Sequence, residues 1–221
     1  GLGHFTCQYL QFEADILNKE SGEVDQLTRY YHPMSKVKDA GILDLLIKVY
    51  LRNFKFPQGG AFTQFIDTMK EGQLMKVKGI AGDIYYKGHS EFMIRNKETQ
   101  EMESKRYKRV GMIAAGSGLT PMFQLIQTVA DSPSDTTSLS LISSCPTPFD
   151  LILDEDLQEF EKAGKLFYFP LVQAPDENWE LAEGKVTKEM IREMMPGKED
   201  DDALIIVCGP PKMKQDVKQL L

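Results

Sequence analysis

From Val110 to the end of the chain, short apolar runs alternate with amphipathic segments, and this alternation restricts the fold more than any other feature. "RVGMIAAGSG" reads as a strand running into glycines, and "LTPMFQLIQTVADS" as a helix with Thr120 at its N-cap and Pro121 at its first position. "SLSLISS" is a strand, "DLILDEDLQEFEKAG" a helix closed by Gly164, and "KLFYFPLV" a third strand. "TKEMIREMM" is a helix, "ALIIVCG" a strand and "PKMKQDVKQLL" a last helix. Strand followed by helix four times over predicts a doubly wound α/β domain over 110–221 with a mainly parallel sheet. Such a sheet binds ligands at the carboxyl ends of its strands.

The first ninety residues have a different period. "ILDLLIKVYL" (42–51), "LMKVKGI" and "DIYYKG" alternate over two residues and are punctuated by Gly72, Gly79, Gly82 and Gly88. Closely spaced strands with glycine turns predict an antiparallel sheet or barrel over 1–94. One helix interrupts it, "AFTQFIDTMKEG", with Phe62, Phe65, Ile66 and Met69 on one face and Gly72 past its end. Between the halves, 95–109 ("RNKETQEMESKRYKR") is charged and nearly free of aliphatics. It is read either as a solvated connection between domains, with some hairpin character, or as a plain surface loop.

The net charge of −7 speaks against non-specific binding to nucleic acid, whose phosphates would be repelled. No apolar run approaches the length of a membrane-spanning helix. Cys7, Cys145 and Cys208 are odd in number and far apart, with neither metal-ligand spacing nor a disulfide framework, so no metal is expected and a reducing, intracellular compartment is. Lys36, Lys38, Lys105, Arg106, Lys108 and Arg109 form either a local basic patch or ordinary solvated charge.

Two glycine-containing turns fall where a doubly wound sheet would bind. In "AAGSGLTP" (114–121), Gly116 and Gly118 allow close approach of a ligand, and the helix start behind them presents free N–H groups to a phosphate. "CGPPKM" (208–213) ends the fourth strand in the same manner. Taken singly, each also reads as nothing more than a strand-to-helix turn.

In this order, with "RYYHPMS" (29–35), "LDLLIKVY", "FPQGGAFTQFIDTMKEG", "VGMIAAGSGLTPMFQLI", "APDENWELAEGKVTKEMI" and "VCGPPKM", the chain resembles the NADH-cytochrome b5 reductase branch of the ferredoxin-NADP reductase superfamily. The resemblance covers nearly the whole sequence. It implies an α+β two-domain fold, an antiparallel β-barrel for FAD followed by the doubly wound NAD-binding domain. It also implies hydride transfer from NADH to flavin N5 and release of electrons to a haem protein such as cytochrome b5. By position, Arg29 would pair with the FAD pyrophosphate, Tyr31 would lie against the flavin ring, and His32, Pro33 and Ser35 would complete the flavin segment. Lys48, Gly60, Ala61, Phe62 and Thr63 would hold phosphates and the ribityl chain, with Thr120 and Pro121 near the flavin. Gly116, Ser117 and Gly118 would approach the dinucleotide, and Cys208, Gly209, Pro210 and Met213 would line the nicotinamide side. His32 and Cys208 are thereby the expected catalytic pair.

The chain departs from the family pattern in four places. His32 stands where the family has the Ser or Thr that bonds flavin N5. An imidazole N–H could supply that bond and, titrating near neutrality, make the flavin potential pH-dependent; alternatively it faces solvent beside an altered site. The barrel strands that precede "GLGHF" and the final aromatic stretch after Leu221 are expected to be missing. The acidic residue that favours NADH aligns near Val172 and Gln173, with no Arg cluster to take a 2′-phosphate, so NADH is preferred and NADPH is not excluded. Two functions therefore stand side by side: an FAD-dependent NADH reductase, peripheral on a mitochondrial or ER membrane in the manner of its family, or a catalytically impaired subunit kept for interactions in a larger complex.

Overall fold

Strand Arg109–Ala115 is buried along nearly its whole length because its Val, Met, Ile and Ala side chains have helices on both sides. A computed structural model of the chain describes residues 3–18, 21–54, 57–197 and 199–221. In chain order the strands are β1 (Tyr9–Leu17), β2 (Val24–Tyr31), β3 (Lys76–Ala81), β4 (Ile84–Gly88), β5 (Glu91–Arg95), β6 (Met102–Arg106), β7 (Arg109–Ala115), β8 (Ser138–Cys145), β9 (Phe167–Val172), β10 (Ala182–Glu183) and β11 (Ala203–Cys208). The helices are α1 (Ala61–Asp67), α2 (Leu119–Ala130), α3 (Asp154–Lys162), α4 (Lys188–Met194) and α5 (Pro211–Leu220).

The α/β part is a five-stranded sheet in the order β10-β9-β8-β7-β11, with every pairing parallel. Helices α2 and α3 cover one face, where Met112, Leu125, Leu141 and Leu157 pack; α4 and α5 cover the other, around Ile113, Ile142, Ile191 and Val217. The chain runs outward from β7 to β10 and then returns to the other side of β7 to form β11. The order therefore reverses between β7 and β11, which is where a doubly wound sheet opens a crevice. The short strand β10 had no counterpart among the sequence expectations.

The N-terminal part consists of two antiparallel three-stranded sheets, β2-β1-β3 and β4-β5-β6. Leu10, Phe12 and Ala14 alternate inward on β1 and meet Phe62 of α1. Two expectations need correcting. Segment 42–51 joins no ladder among the described residues. Other groups take up its backbone: Asp44 accepts from Met34 N–H and donates to Ser35 Oγ, while Tyr50 donates to Thr63 Oγ1 and accepts from Gly60 N–H. Helix α2 begins at Leu119, two residues earlier than expected, because Gly116–Gly118 already form a 3-10 turn; Gly118 occupies the cap and Thr120 Oγ1 donates back to Ser117 O. The charged stretch before β7 contributes β6, which pairs with β5 to make a hairpin.

A buried polar cluster ties that hairpin sheet to the α/β part. Tyr86 donates to Asp135 Oδ2 at 2.6 Å and accepts from Ser90 N–H, and Thr137 Oγ1 lies 2.8 Å from both Tyr86 Oη and Ser90 Oγ. Burial, reinforced by the Asp135 carboxylate, pushes the Tyr86 phenol well above its ordinary value, so it stays a proton donor at all accessible pH. Tyr86→Phe should orphan these buried partners and lower stability by roughly 1–3 kcal/mol, read as a shifted urea midpoint at unchanged slope; an unchanged midpoint would show the cluster to be dispensable.

Candidate functional site

The two glycine turns expected from the sequence meet at the β7/β11 crevice. Pairing of Ala114 with Cys208 brings both turns to the same end of the sheet. Gly118 is buried against the turn that follows β11. A side chain there would run into the Cys208 carbonyl and come within 2.7 Å of Gly209 N. Gly209, at φ 153°, lies against Ala115, and a Cβ there would sit 2.8 Å from Met213 Cε. Gly116, at φ 54°, and Ser117 face solvent. Ser117, Thr120 and Pro121 thus lie on one turn-and-helix start, and Cys208, Gly209, Pro210 and Met213 on the facing one. Cys208 is partly buried, and burial raises its thiol pKa, so it sits there neutral rather than as a thiolate.

The expected flavin segment lies on β2 and the loop after it. Alternation along β2 sends Arg29 and Tyr31 to one face and Tyr30 and His32 to the other. Tyr31 packs edge-on to Phe12 and lies 6.2 Å, centroid to centroid, from Phe62 at the start of α1. Arg29 is exposed and donates to the Thr28 carbonyl. Pro33 and Ser35 are buried. At the start of α1, Thr63 Oγ1 donates to Gly60 O and accepts from Tyr50 N–H, while Phe62 is buried and Ala61 exposed. A groove of about 590 Å³ opens beside this helix start, lined by Arg52, Gly59, Ala61 and Gln64 with Ile16, Leu27 and Phe65 beneath. Phe56, the first residue of the expected F-P-x-G-G segment, lies outside the described residues.

His32 is partly buried, with its ring edge-on to Tyr9 at 5.5 Å. Burial lowers its pKa from 6.5 to about 4. The expected titration near neutrality therefore does not hold: the charged imidazolium loses its hydration here, and the ring stays neutral at physiological pH with one N–H donor and one acceptor.

Lys48, expected to hold a cofactor phosphate, is engaged with a carboxylate of the α/β part. Its Nζ lies 3.2 Å from Asp150 Oδ1, beyond β8. Lys36 and Lys38 both pair with Asp131 at the end of α2, Lys105 pairs with Glu103, and Arg109 with Asp200 and Asp202, so these residues, read from the sequence either as a basic patch or as solvated charge, are engaged with carboxylates.

Sequence reasoning missed three residues: Tyr9, which flanks His32; Asp150, which holds Lys48; and Gln124, which is 0% exposed and joins the two parts of the molecule. Only Gln124 left a signal, a polar side chain amid Met122, Phe123, Leu125 and Ile126. Gln124 Nε2 donates to Ser35 O and its Oε1 accepts from Cys7 N–H, each at 3.0 Å.

Comparisons with known proteins agree with the two-part fold. Residues 2–86 match the oxidoreductase FAD-binding domain family and residues 112–219 the oxidoreductase NAD-binding domain family. The chain is 38% identical to human NADH-cytochrome b5 reductase 1 over 193 residues, covering 85% of this chain and 62% of that protein. It is 37% identical to mouse NADH-cytochrome b5 reductase 2, covering 97% of this chain and 76% of that one. Against the first of these the chain thus spans somewhat less than two thirds of the relative's length. Among solved structures, the cytochrome b5 reductase domain of Ulva prolifera nitrate reductase superposes with a TM-score of 0.89 at 26% identity, over 99% of this chain and 81% of that one. The next superpositions, such as the human Ncb5or domains at 18% identity and a TM-score of 0.70, speak for the fold alone.

Two measurements follow. Gly118→Ala should lower the thermal midpoint by the equivalent of about 1–3 kcal/mol, because its Cβ meets backbone rather than a side chain that can swing away; a midpoint equal to wild type would show that the turn after β11 is free to move. For His32 the folded pKa is below the unfolded value, so its contribution is complete above about pH 6.5 and is lost as pH falls towards 4, where the unfolded chain takes the proton first. Between pH 7.5 and 5, wild type should lose on the order of 2 kcal/mol more stability than His32→Thr, measured by urea unfolding at both pH values; parallel losses would place His32 in solvent.

Proposed function

Because the chain belongs to the NADH-cytochrome b5 reductase family, we propose that it is an FAD-dependent oxidoreductase that takes a hydride from NADH and passes electrons to a haem-protein acceptor of the cytochrome b5 kind. The observation that carries this reading is the convergence at α2. The nucleotide-side turns meet at its first turn, and the flavin-side segment is bonded to its second through Ser35 and Gln124. Attachment of both candidate cofactor segments to successive turns at one end of a rigid helix supports the close approach that hydride transfer between them requires.

The residues present fit both groups. The exposed Arg29 guanidinium suits a pyrophosphate, Tyr31 over Phe62 offers an apolar ring face, and the groove beside the α1 start accepts the extended remainder of a flavin dinucleotide. Gly116, Ser117 and Gly118, with Gly209 opposite, leave backbone open to a nicotinamide dinucleotide. Bound flavin supplies hydride acceptance and one-electron release. The protein contributes orientation, a neutral His32 N–H in place of a hydroxyl, and a neutral Cys208 thiol on the nicotinamide side. Lys48 reaches a phosphate only by leaving Asp150. Val172 and Gln173 supply neither a carboxylate for a ribose 2′-hydroxyl nor a guanidinium for a 2′-phosphate; NADH remains the preferred donor on the family's precedent. Free Cys7, Cys145 and Cys208 support a reducing compartment, and among the described residues no helix is long and apolar enough to cross a membrane.

The rival reading, a non-catalytic assembly subunit, has His32 in its favour and the joint retention of Arg29, Tyr31, Thr63, Gly118 and Cys208 against it. Purified protein should show a flavin absorption band that bleaches anaerobically on addition of NADH. A colourless protein that takes up no added FAD would refute the proposal. His32→Thr should speed that bleaching if the imidazole limits approach of the nicotinamide, and equal rates would assign the limit elsewhere.

A further inference from the structure

Helix α2 presents one stripe to the N-terminal part: Pro121, Gln124 and Thr128, spaced three and four residues apart. Each makes a polar contact there. The Pro121 carbonyl accepts from Cys7 Sγ at 3.6 Å, and Thr128 Oγ1 lies 2.9 Å from Thr6 Oγ1. Gln124 makes two contacts, to Cys7 N–H and to the Ser35 carbonyl, and so joins two N-terminal segments that are far apart in sequence. Both bonds go to backbone, so they fix the course of the chain rather than a side-chain rotamer. Cys7 needs such fixing: its φ of 75° is a left-handed conformation that L side chains adopt at a cost. Ser35 is three residues beyond His32, and Thr120 is one helical turn before Gln124. A buried amide thus stands midway between the flavin-side segment and the nucleotide-side turn.

We propose that Gln124 is a positioning residue for hydride transfer, setting the distance between the 29–35 segment and the first turn of α2. The inference rests on the reductase reading above and deepens it. A side-chain amide is suited to the task because it donates at one end and accepts at the other without carrying a charge into the interior. A carboxylate could accept from Cys7 but would set its charge against the Ser35 carbonyl. A methionine would fill the volume and orphan both backbone groups.

The test uses the whole FAD-loaded chain, with stopped-flow reduction by NADH. Gln124→Met should retain flavin content and the dissociation constant for NAD⁺ while slowing flavin reduction at saturating NADH by roughly tenfold or more. Gln124→Glu should be slow at high pH and recover towards wild type as pH falls, because the protonated acid restores a donor towards Ser35 and an acceptor towards Cys7. Kept above about pH 5.5, that profile is not confused by the groups around it: burial raises both the Cys7 thiol, to about 12, and the Cys208 thiol, burial lowers His32 to about 4 so that it stays neutral, and Asp131 beside Lys36 and Lys38 has its pKa lowered and stays ionised. Wild-type rates in Gln124→Met, or a pH profile of Gln124→Glu parallel to wild type, would overturn the proposal. Wild type that binds flavin but is not reduced by NADH overturns the reductase reading instead. Amide exchange at Cys7 and across 29–35 then still decides, since protection unchanged in Gln124→Met shows that Gln124 holds neither segment.

Discussion

Everything in the molecule turns on how closely α2 is packed. Its apolar face is pressed on the parallel sheet through Met122, Leu125 and Ile126, and its first turn sits against the end of β11 at a distance that only glycine at position 118 allows. With both sides taken, the helix has no freedom to slide. The N-terminal part docks on what remains, a stripe of polar groups flanked by the buried Tyr86 and Phe92, and so inherits its placement from a contact inside the other half.

The parallel half was largely legible in the sequence because its signals are local. Periodic apolar runs, Thr187 capping α4 through Met190 N–H and Gly164 closing α3 at φ 67° act within a few residues of themselves. The antiparallel half was less so. Segment 42–51 has a strand's alternation, yet whether it ladders depends on a neighbouring edge, and here Thr63, Ser35 and Gly60 take its backbone groups instead. Among the site residues, the glycines of both turns could be found from spacing. The partners of the flavin-side residues could not: Tyr9 beside His32 and Asp150 beside Lys48 act at separations along the chain that no motif spans, and Gln124 showed only as a polar residue in an apolar helix, without its partners Cys7 and Ser35.

His32 illustrates the difference between residue identity and residue state. As a letter in the sequence it suggests a titrating group near neutrality. Beside Tyr9 and partly buried, it is an uncharged donor–acceptor, closer in behaviour to the hydroxyl that the family resemblance puts at this position than to an imidazolium, though larger. Burial thereby narrows the chemical difference that the substitution introduces and leaves size as the main one.

The ion pairs across the junction share a polarity. Lys36, Lys38 and Lys48 come from the antiparallel half, and Asp131 and Asp150 answer them from the α/β half. Exposed pairs of this kind add little to stability, and their field extends only about 8–10 Å at ordinary ionic strength. What they supply is recognition. Although the chain is acidic overall, its two halves meet as a positively faced partner and a negatively faced one, so docking within the molecule follows the same electrostatic complementarity that guides two separate proteins together.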